Sequence, residues 1–207
     1  HRDLHSFPTR RSSDLRFATL KDMFLANIVD KKDNANGFVY RMAGEGNSSY
    51  VMVGYTGDAS EITIPATFNG KNVIGIEAEV FMDNATLTKV LFESPSHITS
   101  IGDRAFYNCN GLTAIDLPDA VLYVGVDAFA HCDELTSFNI GQGLNEVKGN
   151  ILAYCPKLTT LTATRGNNNH FKCVDNVLLH CPATGMELDS YVIVCAAGKK
   201  GNYVVPV

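Results

Sequence analysis

The 207-residue sequence has no tryptophan, and only 19% of it is charged, with no run of Lys or Arg. Without a basic patch, nucleic acid and anionic membrane surfaces are poor partners. No apolar run approaches the roughly 20 residues of a membrane-spanning helix, so this stretch of chain is not expected to insert into a bilayer. The six cysteines include no CxxC pair, so Cys173, His180, Cys181 and Cys195 lack the usual anchor of a zinc site. Gly198-Lys199-Lys200-Gly201 is not a phosphate loop: Ile193 stands where its first glycine would be, and no Ser or Thr follows the lysines. Lys31–Gly37, KKDNANG, is similar to a calcium loop only at its end, because Lys32 occupies the place of the first ligand carboxylate. His131-Cys132 and His180-Cys181 are sequence neighbours. Neighbours in extended backbone point to opposite faces and do not readily share a proton. No catalytic residue, metal ligand or cofactor is therefore assigned, and no enzyme activity is expected.

What the sequence does contain is a repeat. Ile98–Pro118, ITSIGDRAFYNCNGLTAIDLP, recurs before and after itself. Phe106 has counterparts in Phe81, Phe129 and Leu152, at spacings of 25, 23 and 23 residues. Cys109 maps to Asn84, Cys132 and Cys155; Leu112 maps to Leu87, Leu135 and Leu158. Ile115 maps to Val90, Phe138 and Leu161, and Ile101 to Ile76, Val124 and Val147. A fixed period in this range marks a solenoid whose units contact mainly their neighbours.

One repeat offers about eight apolar side chains, each worth roughly 1.5–3 kcal/mol when buried. Ordering its backbone costs about 1–2 kcal/mol for every residue. A single repeat therefore does not fold, and neighbours must complete its buried face and pair its strand edges. Each repeat reads as two short strands and one turn of helix. The ITSIG type is the first strand, and the DRAFYNC type is the helical turn, with Asp103 at its N-cap. The LTAIDLP type is the second strand, with Ile115 and Leu117 inward, Ala114 and Asp116 outward, and Pro118 as its stop. The repeats lie near 73–92, 98–118, 121–141 and 144–164, within a solenoid over 61–164.

The flanks read differently. Residues 1–15, HRDLHSFPTRRSSDL, back-translate into a string that resembles a sequencing-library adapter, so they are set aside from fold reasoning. That takes the net charge from −5 to −6, because the stretch carries three arginines and two aspartates. Residues 16–36 hold Phe17, Leu20, Phe24 and Ile28 at helical spacing, then a linker; they form either a capping helix or the tail of another domain. Residues 37–60 read as a β-hairpin, with FVYRM and YVMVGY as strands around GEGNSS. Glu61–Pro65, EITIP, is a copy of the second strand standing alone, and Asn69-Gly70 is a turn into the first full repeat. Residues 165–207 read as an interrupting β unit, with a polar turn, then strands near Val177–His180, Tyr191–Cys195 and Tyr203–Val205. The last is expected to begin a further repeat that is cut short, leaving an edge through which the chain self-associates.

Cys109, Cys132 and Cys155 fall on the repeat period and read as a ladder of small buried side chains, since Asn84 shows that the position accepts a non-thiol. Asn47-Ser48-Ser49 and Asn84-Ala85-Thr86 are glycosylation sequons, incidental in a bacterial protein, with Asn84 expected to be partly buried.

The units ITSIGDRAFYNCNGLTAIDLP and VLYVGVDAFAHCDELTSFNI closely resemble BspA-like leucine-rich repeats, and the flanks at 37–73 and 170–206 resemble segments that accompany such arrays. Asn84, Leu152 and the VKG at Val147 depart from the motif as degenerate repeats do. The resemblance implies a leucine-rich-repeat-like right-handed β/α superhelix of mostly short strands with short helical turns. It also implies a secreted or cell-surface protein, mostly bacterial, with adhesion to a protein or glycan ligand on a host or another cell as its role.

The surface left for a ligand is the outward face of the second strands. One column is Lys89, Ala114, Ser137 and Thr160; the next is Leu91, Asp116, Asn139 and Thr162. These residues are small, mostly neutral and without the Trp, Tyr and Arg enriched at binding hot spots, so a solvated sheet face is the plainer reading. Two functions stay open: a non-catalytic interaction or adhesion module, and a structural spacer displaying another domain.

Overall fold

The computed structural model describes residues 30–163, 171–180 and 192–196. The adapter-like stretch, the 16–29 helix and the 203–205 strand lie outside them.

The chain winds as a β-solenoid whose coils alternate between two sheets. The first sheet runs β1 (Lys31–Lys32), β2 (Phe38–Ala43), β3 (Ser49–Tyr55), β6 (Lys71–Ile76), β8 (Ser100–Ile101), β10 (Tyr123–Val124), β12 (Glu146–Val147), with β5 (Thr67–Phe68) on β6. Its first three strands are antiparallel, and from β3 onward each strand on the path is parallel to the next. The second sheet is parallel throughout: β4 (Glu61–Ile64), β7 (Lys89–Phe92), β9 (Ala114–Asp116), β11 (Ser137–Ile140), β13 (Thr160–Ala163). A third sheet, β14 (Phe171–Val174), β15 (Val177–His180) and β16 (Val192–Ala196), is antiparallel.

The hairpin is continuous with the coils. Met52 pairs with Ile76, so β3 supplies the first-sheet strand of the coil that β4 completes. β4 in turn pairs with β7, so EITIP is the first rung of the second sheet and does not stand alone. Fourteen residues separate Ile76 from Val90 and Ile101 from Ile115, whereas ten separate Met52 from Ile62. This first coil lacks the intervening turn segment, which hides its kinship in the sequence. Asn69 and Gly70 both have positive φ, as a two-residue hairpin turn between β5 and β6 requires. Asp175 and Asn176 repeat that geometry between β14 and β15. The strand β14 falls where the sequence reads as a polar turn.

The helical turns expected in each coil do not form, and the reason is a competing ladder. Arg104, Phe106 and Asn108 donate their N–H groups to the carbonyls of Val126, Ala128 and Ala130 in the next coil. Ala105, Tyr107 and Cys109 donate locally, three residues back. Alternate amides thus leave for the neighbouring coil, and a continuous helix cannot coexist with that pattern. Left-handed backbone at Glu79 and Asp83, Arg104 and Asn108, and Asp127 and His131 breaks any helix every fourth residue. Asp103 does not cap its own segment; its Oδ1 accepts the N–H of Val126 across the coils, at 2.8 Å.

The core follows the repeat columns. Phe81, Phe106 and Phe129 stack with centroids 4.8 and 5.1 Å apart and nearly parallel planes. Tyr55 extends the column at 5.2 Å and joins it to the aromatic cluster of Phe38, Tyr40, Tyr50 and Phe68 under the hairpin. A threonine ladder runs beside the second sheet: Thr88, Thr113, Thr136 and Thr159 each donate Oγ1 to the carbonyl of the corresponding residue one coil back. Coils approach so closely that a Cβ on Gly102 would lie 2.5 Å from the backbone nitrogen of Ala78.

Candidate interaction surface

The second sheet lines up the outward residues. Lys89, Ala114, Ser137 and Thr160 are consecutive partners across four strands, and Glu61 on β4 precedes them. Asp116, Asn139 and Thr162 are consecutive partners on β9, β11 and β13, and Leu91 on β7 is paired with Thr63 on β4. Inward positions of the same strands, Val90, Ile115, Phe138 and Leu161, are buried. The outward ones are exposed or half-buried, and Leu91 leaves 47% of its surface open. Lys89 Nζ lies 3.7 Å from Glu61 Oε2, and Thr162 Oγ1 donates to Asn139 Oδ1 at 2.8 Å. Glu61 and Thr63 belong to the columns and were missed in the sequence, because their coil lacks the turn segment that marks the others.

One end of this face is concave. A groove of about 490 Å³ opens between the connection after β7 and the connection after β9. Leu91, Phe92 and Pro95 supply apolar lining, and Glu93, Asp116 and Asp119 supply carboxylates. Its cause is legible in the numbering. Val90 to Gly102 spans twelve residues and Ile115 to Gly125 ten, so the spacing of 25 places two extra residues in the β7–β8 connection. Glu93 holds that connection to the first coil: its N–H bonds the carbonyl of Ile64, and its Oε2 accepts from Ala66 N at 2.7 Å. Asp119 Oδ1 accepts from Gln142 N at 2.9 Å.

A larger open groove, of about 850 Å³, lies at the first coil between the 33–37 and 56–59 loops, along the outer edge of β4. Asp33 in that first loop is occupied internally, accepting from the N–H groups of Ala35 and Asn36 and from the Asn36 side chain.

The cysteines serve the packing. Cys109, Cys132 and Cys155 are free thiols that donate to the carbonyls of Phe81, Phe106 and Phe129, each one coil back, at 3.1–3.3 Å. Burial pushes the Cys109 thiol up to about 12. Cys132 is also raised, first by its hydrogen-bonded neighbour Cys155 and then by burial. Cys173 donates to Leu161 O at 2.7 Å and is pushed up to about 11 by burial. Cys155 shifts the other way, because its hydrogen bond with Cys132 favours its ionised form; a thiolate nucleophile needs such a lowering, but this sulfur is held against the Phe129 carbonyl one coil back. In the coil of β6 and β7 Asn84 closes the turn instead, its Oδ1 accepting from Thr86 N, Thr86 Oγ1 and Leu87 N.

His131 and Cys132 point apart. The His131 ring stacks on Tyr154 at 4.6 Å and meets Tyr107 at 5.1 Å, while the Cys132 sulfur faces the core. This Tyr107–His131–Tyr154 column, with Tyr154 exposed by 75%, was not foreseen; its signal is an aromatic or imidazole ring one or two residues beyond each core Phe or Leu. Cys181 lies outside the described residues. Among the described residues no three His, Cys, Asp or Glu side chains converge as metal ligands, and no helix is long and apolar enough to cross a membrane.

The architecture has solved counterparts. A leucine-rich repeat protein from Bacteroides capillosus ATCC 29799 superimposes with a TM-score of 0.54 at 20% identity, over 63% of this chain and 96% of that one. The T. pallidum leucine-rich repeat protein gives 0.51 at 21% identity, over 63% and 71%. At such identity the likeness concerns the fold. No curated protein matches the sequence. The profile described as "BspA type Leucine rich repeat region" matches residues 54–177 in six copies, two more than the four repeats read from the sequence. That match spans more than half of the chain, which therefore belongs to the BspA-type leucine-rich repeat family.

Proposed function

We propose that this chain is a non-catalytic interaction module of a secreted or cell-surface protein, and that it meets a protein or glycan ligand through the outward face of the second sheet. The observation that carries the reading is that face itself. Five parallel strands present two columns of side chains that the core does not use. Broad sheet faces of solenoids suit extended partners, and weak contacts gain strength when repeated. The non-catalytic part is supported by thiols committed to carbonyls and by the raised pKa values of Cys109 and Cys132. The surface location is supported by the family.

A structural spacer is the second reading, favoured by the ladders of Phe rings, thiols and threonines that tie successive coils together. Surface plasmon resonance of the full chain against immobilised collagen, laminin and a glycan array separates the two. Saturable retention on at least one ligand is expected. Retention on none favours the spacer.

A further inference from the structure

The groove between the β7–β8 and β9–β10 connections differs from the rest of the outward face in shape and in charge. The columns beside it carry mostly small, neutral side chains, while it holds about 490 Å³, within the range of small ligand sites. Its apolar lining includes Leu91, the one large hydrophobic residue in the columns. Its polar lining includes Glu93, Asp116 and Asp119, and no Lys or Arg lines it. Glu93 and Asp119 each spend one oxygen on a backbone amide, which fixes them in place. The nearest cation of the face, Lys89, sits in the other column beside Glu61.

We infer that this groove takes a lysine or arginine side chain from an extended segment of a protein partner. The methylene stem of such a residue suits Leu91 and Pro95, because long cationic side chains cover apolar surface while keeping their charge in water. The charged head then reaches Asp116, with the remaining oxygens of Glu93 and Asp119 close by to exclude an anion. A neutral sugar could donate its hydroxyls to the carboxylates but would leave their charge uncompensated; a carboxylate-bearing ligand would be repelled. The two extra residues of the β7–β8 connection therefore turn one rung of a plain sheet into a charge-selective recess. This inference rests on the interaction reading and names its partner at one end of the same face.

The test uses the full chain, ¹⁵N-labelled, titrated with two peptides: alternating valine and lysine, and alternating valine and norleucine. The lysine peptide is expected to shift the amides of Leu91, Asp116 and Asp119, and the norleucine peptide to leave them in place. Asp116→Asn should weaken the lysine peptide about fivefold, as for a partly exposed charge pair, whereas Asp133→Asn, outside the groove, should not. Equal shifts with both peptides, shifts spread over all carboxylates, or no shifts would overturn the inference. So would groove shifts produced by neutral oligosaccharides and not by the lysine peptide. If the chain is retained on collagen, laminin or glycans while the lysine peptide fails, this inference falls and the interaction reading stands. If the peptide binds and those surfaces do not, the inference stands and the interaction reading narrows to this groove.

Discussion

Phe106 and Asp116 belong to the same coil and answer to different demands. Phe106 is sealed between Phe81 and Phe129, with centroids 4.8 and 5.1 Å away. Any change there is felt by three coils at once. Asp116 ends β9, an inner strand of the second sheet, level with Asn139, and its side chain is exposed on the outward face. The repeat is kept where coils touch and lapses where they do not. Departures from it on the outside, such as the longer β7–β8 connection, are thus the places where one coil can differ in function from the next.

The largest expected effect tests the touching side. Phe106→Ala should cost about 3–5 kcal/mol, because it opens a cavity in a stack that cannot collapse from either side; urea denaturation followed by circular dichroism reads it. A smaller loss should follow Gly102→Val. Its Cβ would meet the backbone of Ala78 at under 3 Å, and overpacking of this kind costs roughly 1–3 kcal/mol; a shift in thermal midpoint measures it.

Next comes a pH effect. The Cys109 thiol titrates near 9.0 when free of its surroundings and about 12 in the fold. A raised folded pKa means that its contribution is complete below 9.0 and is lost as pH rises toward 12, because only the unfolded chain then gains by ionising. Wild type should lose denaturant resistance across that window, and Cys109→Ala should lose less. On the non-touching side, deleting Pro95 and Ser96 should restore the shorter connection at a cost within about 1 kcal/mol, since loop length enters stability only weakly. The lysine peptide should no longer bind that variant. The smallest effect on stability is expected from Asp116→Asn, within about 0.5 kcal/mol in the same urea assay, as for surface substitutions in general.

The same division explains what could be read from the sequence. Columns such as Ile101–Val124–Val147 and Cys109–Cys132–Cys155 were legible because stacking forces the same chemistry on each coil. The outward columns followed from strand alternation alone. The turn segments were misread as helix because half of their amides bond to another coil, and a local window of sequence does not show that partner. The first coil escaped notice because Tyr50 and Met52 of a hairpin stand where the other coils carry ITSIG. The spacing of 25 was visible, but the groove it creates also depends on Glu93 reaching back to Ala66. His131 and Tyr154, whose rings stack, both have positive φ, which a tyrosine does not signal.

The central claim is that the outward face of the second sheet, and not the ladders behind it, meets the ligand. The most direct test is the double variant Ala114→Arg/Ser137→Arg, compared with wild type for retention on whichever matrix protein or glycan holds the wild-type chain. The account predicts that retention falls by at least about tenfold, a loss of some 1.4 kcal/mol, while the urea midpoint stays unchanged. Retention equal to wild type in a folded double variant would contradict it.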